Sequence, residues 1–216
     1  MNEVAAFFDV DETIINFKSM FSFYEYWCKE KGLLTQYNEY ITKFKQDMQS
    51  GKRRELLNKD YYQQFTHVPL DALNKSGQEW FQQCLNKDIF INETVSELRF
   101  HQKNEITPVF VSGSMLPLLQ PIADYLGVKN IICAPLIINE KGTLTGKIGT
   151  PQTIGSGKKE AILSFCDDND IRAEDCYAYG DDISDIPMLE ATGHPVCVGK
   201  NIRLMDYAAL KGWRNI

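Results

Sequence analysis

Five short runs of apolar residues recur along the chain, and each is followed by a polar or glycine-containing turn and then by a helical pattern. The runs are rich in β-branched and aromatic residues and cover positions 4–8, 107–111, 130–132, 176–179 and 195–198. Near-continuous hydrophobicity is typical of strands that are buried on both faces, whereas half-exposed strands alternate. The pattern therefore predicts an α/β fold with a parallel sheet between two layers of helices.

The pattern changes for about ninety residues between the first and second predicted strands. Helical spacing continues there without a strand signal, over positions 19–31, 33–49, 53–65 and 70–85. Because a crossover between parallel strands needs only about a dozen residues, this segment predicts an inserted helical subdomain. We place the subdomain at 16–90 and the α/β core at 1–15 and 91–216.

The core pattern resumes at Asn92, a residue that favours the N-cap position of the helix predicted over 93–103. Further along, apolar residues at 134–139 and 144–148 flank a turn at 140–142. This arrangement predicts a small β-hairpin that projects from the sheet.

The composition agrees with one globular core and a subdomain, since 44% of the 216 residues are hydrophobic and 24% are charged. No apolar stretch approaches the ~20 residues of a membrane span, so we expect no membrane partner. The acidic Glu3, and Asp9 soon after it, predict that the chain has no signal peptide. Six scattered cysteines without metal-ligand spacing indicate reduced, mostly buried thiols and a cytoplasmic protein.

The net charge of −6 argues against a nucleic-acid partner. Positions 16–90 hold eleven basic and nine acidic residues, whereas the rest of the chain holds twelve basic and twenty acidic ones. A solvated surface is the ordinary explanation of such a difference. A mildly basic subdomain beside an acidic core also suits an anionic substrate that meets a metal site.

Polar and charged residues that could take part in catalysis or binding lie where predicted strands end or where the next helix begins. Open parallel sheets place their binding sites at this carboxyl edge. The candidate residues are Asp9, Asp11, Ser112, Gly113, Lys158 or Lys159, Asp181 and Asp185.

These residue types support one kind of chemistry when they meet at the same edge. Acids from two strands would repel one another across a short gap unless a cation neutralised them, and Mg²⁺ prefers such oxygen ligands. A lysine, a hydroxyl and the N–H groups that open a helix would bind an anion, most simply phosphate. One carboxylate could then attack phosphorus, while a second protonates the leaving oxygen and later activates water.

Four motifs in this set resemble, in order, those of the haloacid dehalogenase (HAD) superfamily. They are Asp9-x-Asp11-x-Thr13, Ser112-Gly113-Ser114, Lys158 and Gly180-Asp181-Asp182-x-x-Asp185. The helical insert after the first motif and the hairpin before the lysine resemble the phosphoserine phosphatase-like branch with a helical cap, subfamily IB. The resemblance covers essentially the whole chain and implies a Rossmann-like, HAD-like core that carries the insert as its cap.

The resemblance implies specific roles for the acids. Asp9 matches the nucleophile, and Asp11 matches the general acid and base. Asp9, the backbone carbonyl of Val10 and Asp181 match the ligands of Mg²⁺. Asp185 matches an acid that supports the metal.

The resemblance also implies a phosphate site. Ser112 and the backbone of Gly113 match the phosphate cradle, and Lys158 matches the lysine that neutralises the phosphate. We prefer Lys158 to its neighbour Lys159, because it precedes Asp181 by twenty-three residues, the spacing expected in this branch.

Two positions depart from the pattern of the phosphoserine-specific enzymes. Lys18 stands where those enzymes carry a glutamate that meets the substrate amine, so we expect it to repel phosphoserine and to favour a substrate with an additional anion. The competing interpretation is that Lys18 only solvates the start of the first cap helix. Asp182 occupies a position that is usually small, and the sequence offers no account of it.

The sequence thus predicts a Mg²⁺-dependent phosphatase that acts on a small phosphorylated metabolite. The alternatives are a phosphoserine phosphatase specifically, a carbon–halogen hydrolase, and a non-catalytic binding protein on the same scaffold. Dehalogenation needs neither leaving-group protonation nor a metal, so Asp11 and the acidic fourth motif disfavour it. The presence of all four motifs argues against a non-catalytic protein.

Two other features have ordinary structural interpretations. Phe23, Tyr24 and Trp27 lie at helical spacing and indicate the core of the cap rather than a substrate cage. The three basic residues at 52–54 are typical of a solvated face, with contact to a substrate anion as the minority interpretation.

Overall fold

The computed structural model describes residues 3–216, so Met1 and Asn2, on which part of the signal-peptide expectation rests, lie outside the described residues. In chain order the strands are β1 (Ala5–Phe8), β2 (Thr107–Ser112), β3 (Asn130–Cys133), β4 (Leu136–Ile138), β5 (Leu144–Ile148), β6 (Tyr177–Gly180), β7 (His194–Cys197) and β8 (Arg214–Asn215). Six of them form a parallel sheet in the order β3-β2-β1-β6-β7-β8. The other two, β4 and β5, form an antiparallel hairpin.

The helices fall into a group within the insert and a group around the sheet. They are α1 (Ser19–Glu30), α2 (Leu34–Gln49), α3 (Arg54–Gln63), α4 (Leu70–Cys84), α5 (Asn92–Lys103), α6 (Leu116–Leu126), α7 (Ser156–Asp168), α8 (Ile186–Leu189) and α9 (Ile202–Lys211). Short 3₁₀ turns occupy Ala173–Asp175 and Ile183–Asp185.

Both faces of the sheet are covered, because successive side chains of a strand point to opposite sides. On β1, Phe8 packs in the same cluster as Leu98 of α5. Its neighbour Phe7 packs on the other face, with Ile162 of α7 and Leu204 of α9. The predicted α/β architecture is therefore confirmed.

Helices α1 to α4 form the predicted helical insert around an aromatic core. Tyr24, Tyr61 and Phe65 are buried and lie with ring centroids 5.2 to 6.1 Å apart. Phe23 and Trp27 pack against the same Phe65 ring at 5.9 and 5.8 Å. Their interpretation as core residues of the cap is confirmed.

The cap is joined to the sheet by two segments that run side by side. The Asn16 N–H donates to the Ile89 carbonyl, and the Ile91 N–H donates to the Ile14 carbonyl, both at 2.9 Å. This paired connection lies where the sequence places the limits of the subdomain, and those limits stay a prediction.

One cap helix also packs tightly on the core. On α4, a Cβ added at Gly77 would lie 2.1 Å from the carbonyl oxygen of Pro117 on α6. Any side chain at position 77 would therefore push α4 away from α6.

The predicted hairpin forms and contacts the cap. The Asn139 carboxamide oxygen accepts the N–H groups of Lys141 and Thr143 at 3.0 and 3.2 Å, which closes the turn. The Leu144 N–H donates to the Val68 carbonyl at 2.8 Å, so β5 abuts the segment between α3 and α4.

Other details differ from the sequence-based expectations. Asn92 is the first residue of α5 rather than its N-cap; the N-cap is Ile91, which makes no side-chain capping bond. The sequence did not indicate β8, because an edge strand of two residues is too short to show a pattern of hydrophobic and polar positions.

All six cysteines lie in the described part of the chain and are free thiols, four of them buried and two half-buried. No helix within residues 3–216 combines the length and the apolar character that crossing a bilayer requires.

Candidate active site

Three predicted acids meet at the carboxyl edge of the sheet. Asp9 directly follows β1, and its N–H donates to the carbonyl of Tyr179 on the neighbouring β6 at 2.9 Å. Asp181 follows β6, and Asp185 ends the next 3₁₀ turn. Carboxylate oxygens of Asp9, Asp181 and Asp185 all lie within 4.8 Å of one another.

The position of Asp185 depends on a glycine. A Cβ added at Gly180 would lie 2.7 Å from the Cβ of Asp185, so only glycine admits this close approach. One Asp185 oxygen accepts the N–H of Asp182 at 3.2 Å. The fourth motif therefore folds into a compact turn that aims Asp185 at the other acids.

Lys158 lies between two of these acids. Its Nζ is 2.5 Å from Asp9 Oδ1 and 2.7 Å from Asp185 Oδ1, and the residue is 5% exposed. Burial acts to lower the pKa of Lys158, but the charges of Asp185 and Asp9 hold it above its usual value. The alternative candidate, Lys159, is exposed and lines a separate groove with Glu190, so the geometry favours Lys158.

The donor set fits a divalent cation. Three buried or half-buried carboxylates face a single ammonium group, which leaves an excess of negative charge. Burial, and then the charges of Asp9 and Asp185, raise the pKa of Asp181 to about 8. A hard cation would relieve this repulsion, and Mg²⁺ suits a site made only of oxygen donors.

The Val10 carbonyl, which the resemblance assigns to the metal, lies in the loop after β1, and its role as a ligand stays a prediction. This oxygen accepts the N–H groups of Ile14 and Ile15 at 2.9 and 3.0 Å, which fold the loop after β1. This oxygen is therefore already hydrogen-bonded within its own loop.

Asp11 lies beside Asp9 in the same cavity. Its Oδ1 is buried and makes no hydrogen bond within the described structure. Burial and the nearby charge of Asp9 raise the pKa of Asp11 to about 7. A carboxyl group in this condition can both give and accept a proton near neutral pH.

The second motif forms a closely packed loop at the end of β2. Ser112 is 2% exposed, and its hydroxyl accepts the N–H of Ser114 at 3.1 Å. The Thr153 hydroxyl donates to the Ser112 carbonyl at 2.6 Å. A Cβ added at Gly113 would lie 2.7 Å from the side chain of Ile154, so the loop packs as closely as glycine allows.

Asn58 and Tyr62 of the cap, and Gln152 of the core, contact the site although the sequence did not single them out. On α3, the Asn58 amide and the Tyr62 hydroxyl donate to the Gly113 carbonyl at 3.0 and 3.3 Å. Gln152 donates to Asn58 Oδ1 at 2.9 Å. In the loop after β1, the Thr13 hydroxyl, part of the first motif, donates to Asp181 at 3.1 Å.

The two departures noted in the sequence each have an oppositely charged partner. Lys18 lies at the cavity and pairs with Glu12 at 2.5 Å. Asp182 pairs with the guanidinium of Arg54 on α3, which also donates to the Ser184 hydroxyl at 2.8 Å. Burial acts to raise the pKa of Asp182, but hydrogen bonds from Ser184 and the charge of Arg54 hold it below its usual value.

Two of the three basic residues at positions 52–54 pair with acids, although Arg54 itself remains exposed, so the interpretation as a solvated face holds only in part. Arg54 bridges the cap to the fourth motif, and Lys52 pairs with Asp47 and Asp60 at 3.0 and 2.5 Å. The sequence shows only that three basic residues are adjacent, and it does not show which acid each of them contacts.

Known proteins share both the sequence pattern and the fold. A probable phosphatase of Mycobacterium tuberculosis is 29% identical over 97% of this chain and 73% of its own length. A histidinol-phosphatase of Neisseria meningitidis is 27% identical over 96% of both chains. The structure of a substrate-bound phosphoserine phosphatase superposes with a TM-score of 0.67 at 18% identity, over 99% of this chain and all of that one, and so shares the fold.

The family assignment rests on a match to a whole family rather than to single relatives. The sequence model of the haloacid dehalogenase-like hydrolase family matches residues 6–190, and this range includes all four motifs and the helical insert. The chain belongs to the haloacid dehalogenase-like hydrolase family.

Proposed function

We propose that the protein is a Mg²⁺-dependent phosphatase that hydrolyses a small phosphate monoester through an aspartyl-phosphate. The observation that carries the proposal is the contact of Lys158 with both Asp9 and Asp185, beside Asp181, at one edge of the sheet. This arrangement can hold a phosphoryl group against a carboxylate. The relatives named as phosphatases support the same chemistry.

In the first step, Ser112, the Gly113 backbone and Lys158 hold the phosphate. An Asp9 oxygen attacks phosphorus as the bond from phosphorus to the leaving oxygen breaks. Asp11 donates its proton to that oxygen, so the product leaves as an alcohol. A divalent ion held by Asp9 and Asp181 would neutralise negative charge on the phosphoryl oxygens.

In the second step, Asp11, now ionised, accepts a proton from water as the water attacks phosphorus. The bond between Asp9 and phosphorus breaks, inorganic phosphate is released, and both carboxyl groups return to their initial states. The unpartnered and buried Asp11 Oδ1 supports this role, because it is free to exchange a proton.

The cap contributes by covering the site. The hydrogen bonds from Asn58 and Tyr62 to Gly113 tie α3 to the phosphate loop. Such closure excludes bulk water and holds the ester for attack. We propose a cytoplasmic enzyme without a nucleic-acid or membrane partner, as the sequence predicts.

Turnover of p-nitrophenyl phosphate tests the proposal. We expect hydrolysis with Mg²⁺, loss of activity with EDTA and recovery when Mg²⁺ is restored. Beryllofluoride with Mg²⁺ should inhibit, because it mimics a phosphoryl group on Asp9. A folded protein that hydrolyses neither aryl nor alkyl phosphates would instead support a non-catalytic binding protein.

A further inference from the structure

The cavity above the acids has two unlike sides. Its volume is about 410 Å³, and its core side carries Asp9, Asp11, Ser112 and Lys158. Its other side belongs to α1, α2 and α3. We call the apolar part of that side the cap wall, which consists of Met20, Phe21, Phe44, Met48 and Leu57.

The cap wall offers accessible apolar surface. The rings of Phe21 and Phe44 meet edge to face, with centroids 4.8 Å apart. Met48 remains 54% exposed beside them. Methionine side chains adapt to ligands of different shape, and apolar surface that persists within a cleft is typical of a binding site.

The basic residues of the cavity are already paired with acids of the chain. Lys18 pairs with Glu12, and Arg54 pairs with Asp182. Lys52 is shared by two acids of the cap. A second anion on a substrate would compete with the carboxylate already beside each of these cations, which weakens the attraction that the cation offers.

We infer that the ester's organic part is an apolar or aromatic group that packs on the cap wall, rather than a group with its own charge. This inference rests on the proposed function, because the wall faces the atoms that would hold the phosphate. It differs from the expectation of an additional anion, which the sequence attached to Lys18. The difference arises because the sequence shows Lys18 but not its pairing with Glu12.

A series of n-alkyl phosphates tests the inference. Esters from ethyl to hexyl phosphate have leaving groups of closely similar basicity, so their rates differ mainly through contacts of the chain. We expect kcat/KM to rise about two- to fourfold for each added methylene, as partial burial of that group predicts. A hexyl chain that ends in a carboxylate should lose most of this gain, because the wall offers its end no free cation.

Variants locate the effect. Phe44→Ala should flatten the dependence on chain length, and Phe44→Leu should retain most of it, which separates lost contact from lost folding. Phe100→Ala removes a ring that is 57% exposed on α5, outside the cavity, and should leave the dependence unchanged.

Calorimetric binding of n-alkylphosphonates to the Mg²⁺-loaded protein provides a readout without turnover. Affinity that rises with chain length, and does so less in Phe44→Ala, would support the inference. Flat affinity and flat kcat/KM in a protein that hydrolyses p-nitrophenyl phosphate would overturn it and leave the proposed function intact. A faster rate with the carboxylate-bearing ester would also overturn it, in favour of an anion at Lys18. Absence of all turnover would instead overturn the proposed function.

Discussion

The two sides of the cavity are built on different physical principles. On the core side, Lys158 is held by two ion pairs and Asp185 by a turn that requires glycine. On the cap wall, Phe21, Phe44 and Met48 offer apolar contacts, which do not depend on the direction of a bond. Directional bonds suit a reaction that is the same for every phosphate ester, whereas apolar contacts suit selection among esters. Changes on the core side should therefore slow every ester and distinguish esters only by the basicity of the leaving group, whereas changes at the cap side should alter the ranking of esters with similar leaving groups.

The largest effect should follow Asp9→Asn. The amide cannot act as the nucleophile, and we expect kcat to fall by about 10⁴-fold or more for every ester. Steady-state rates with p-nitrophenyl phosphate and ethyl phosphate measure the loss, and thermal melting verifies the fold. The matched control Asp124→Asn changes an exposed acid on α6 that accepts a bond from Gln120, and it should retain full activity. Appreciable turnover in folded Asp9→Asn would contradict the assignment.

Asp11→Asn should have the next largest effect and should separate proton transfer from attack. Loss of general acid–base help lowers rates by about 10²–10⁴-fold. The loss should be smaller for an aryl phosphate than for an alkyl phosphate, because a phenolate leaves without protonation. Equal losses for the two esters would show that Asp11 is not the acid.

Gly180→Ala tests how far the core side depends on close packing. The new Cβ would lie 2.7 Å from that of Asp185, so Asp185 must move, and with it the contact to Lys158. Because misplacement by about 1 Å can lower a rate by about 10²-fold, we expect a loss of that order in kcat. An unchanged rate with unchanged Mg²⁺ dependence would mean that the turn tolerates the methyl group without moving Asp185.

Lys18→Glu should have the smallest effect and should change substrate ranking rather than overall rate. The substitution replaces the pair with Glu12 by two like charges at the cavity. We expect relative kcat/KM for amine-bearing monoesters to rise about two- to fivefold, the size of a half-exposed ion pair. Lys31→Glu, at an exposed position after α1 and outside the cavity, is the matched control. Identical rankings for the two variants would show that Lys18 serves only the surface of the cap.

The core side could be predicted from the sequence because its residues sit next to recognisable strands. The parallel sheet brings the ends of β1, β2 and β6 to one edge, so Asp9, Ser112 and Asp181 had to be neighbours. Hydrogen bonds of the backbone could not be predicted from the sequence in this way. The sequence does not show, for example, that the Val10 carbonyl accepts N–H groups of its own loop.

The cap wall could not be predicted in the same way. Helical periodicity identified α1 to α3, but it did not show which of their apolar residues turn toward the acids and which form the aromatic core. Arg54 shows the same limit for charge, since its partner Asp182 lies 128 positions further along the chain. Pairings of this kind depend on how the cap is seated on the core.

The contact between Gly77 and Pro117 has a consequence for protein engineering. At this contact α4 packs directly on the backbone of α6, although the two helices belong to different parts of the predicted domain division. A chimera that exchanges the whole insert for that of a relative would bring a foreign α4 surface against α6 and strain this junction. A graft limited to α2 and α3 would exchange much of the surface that faces the ester and leave the junction with its native partners.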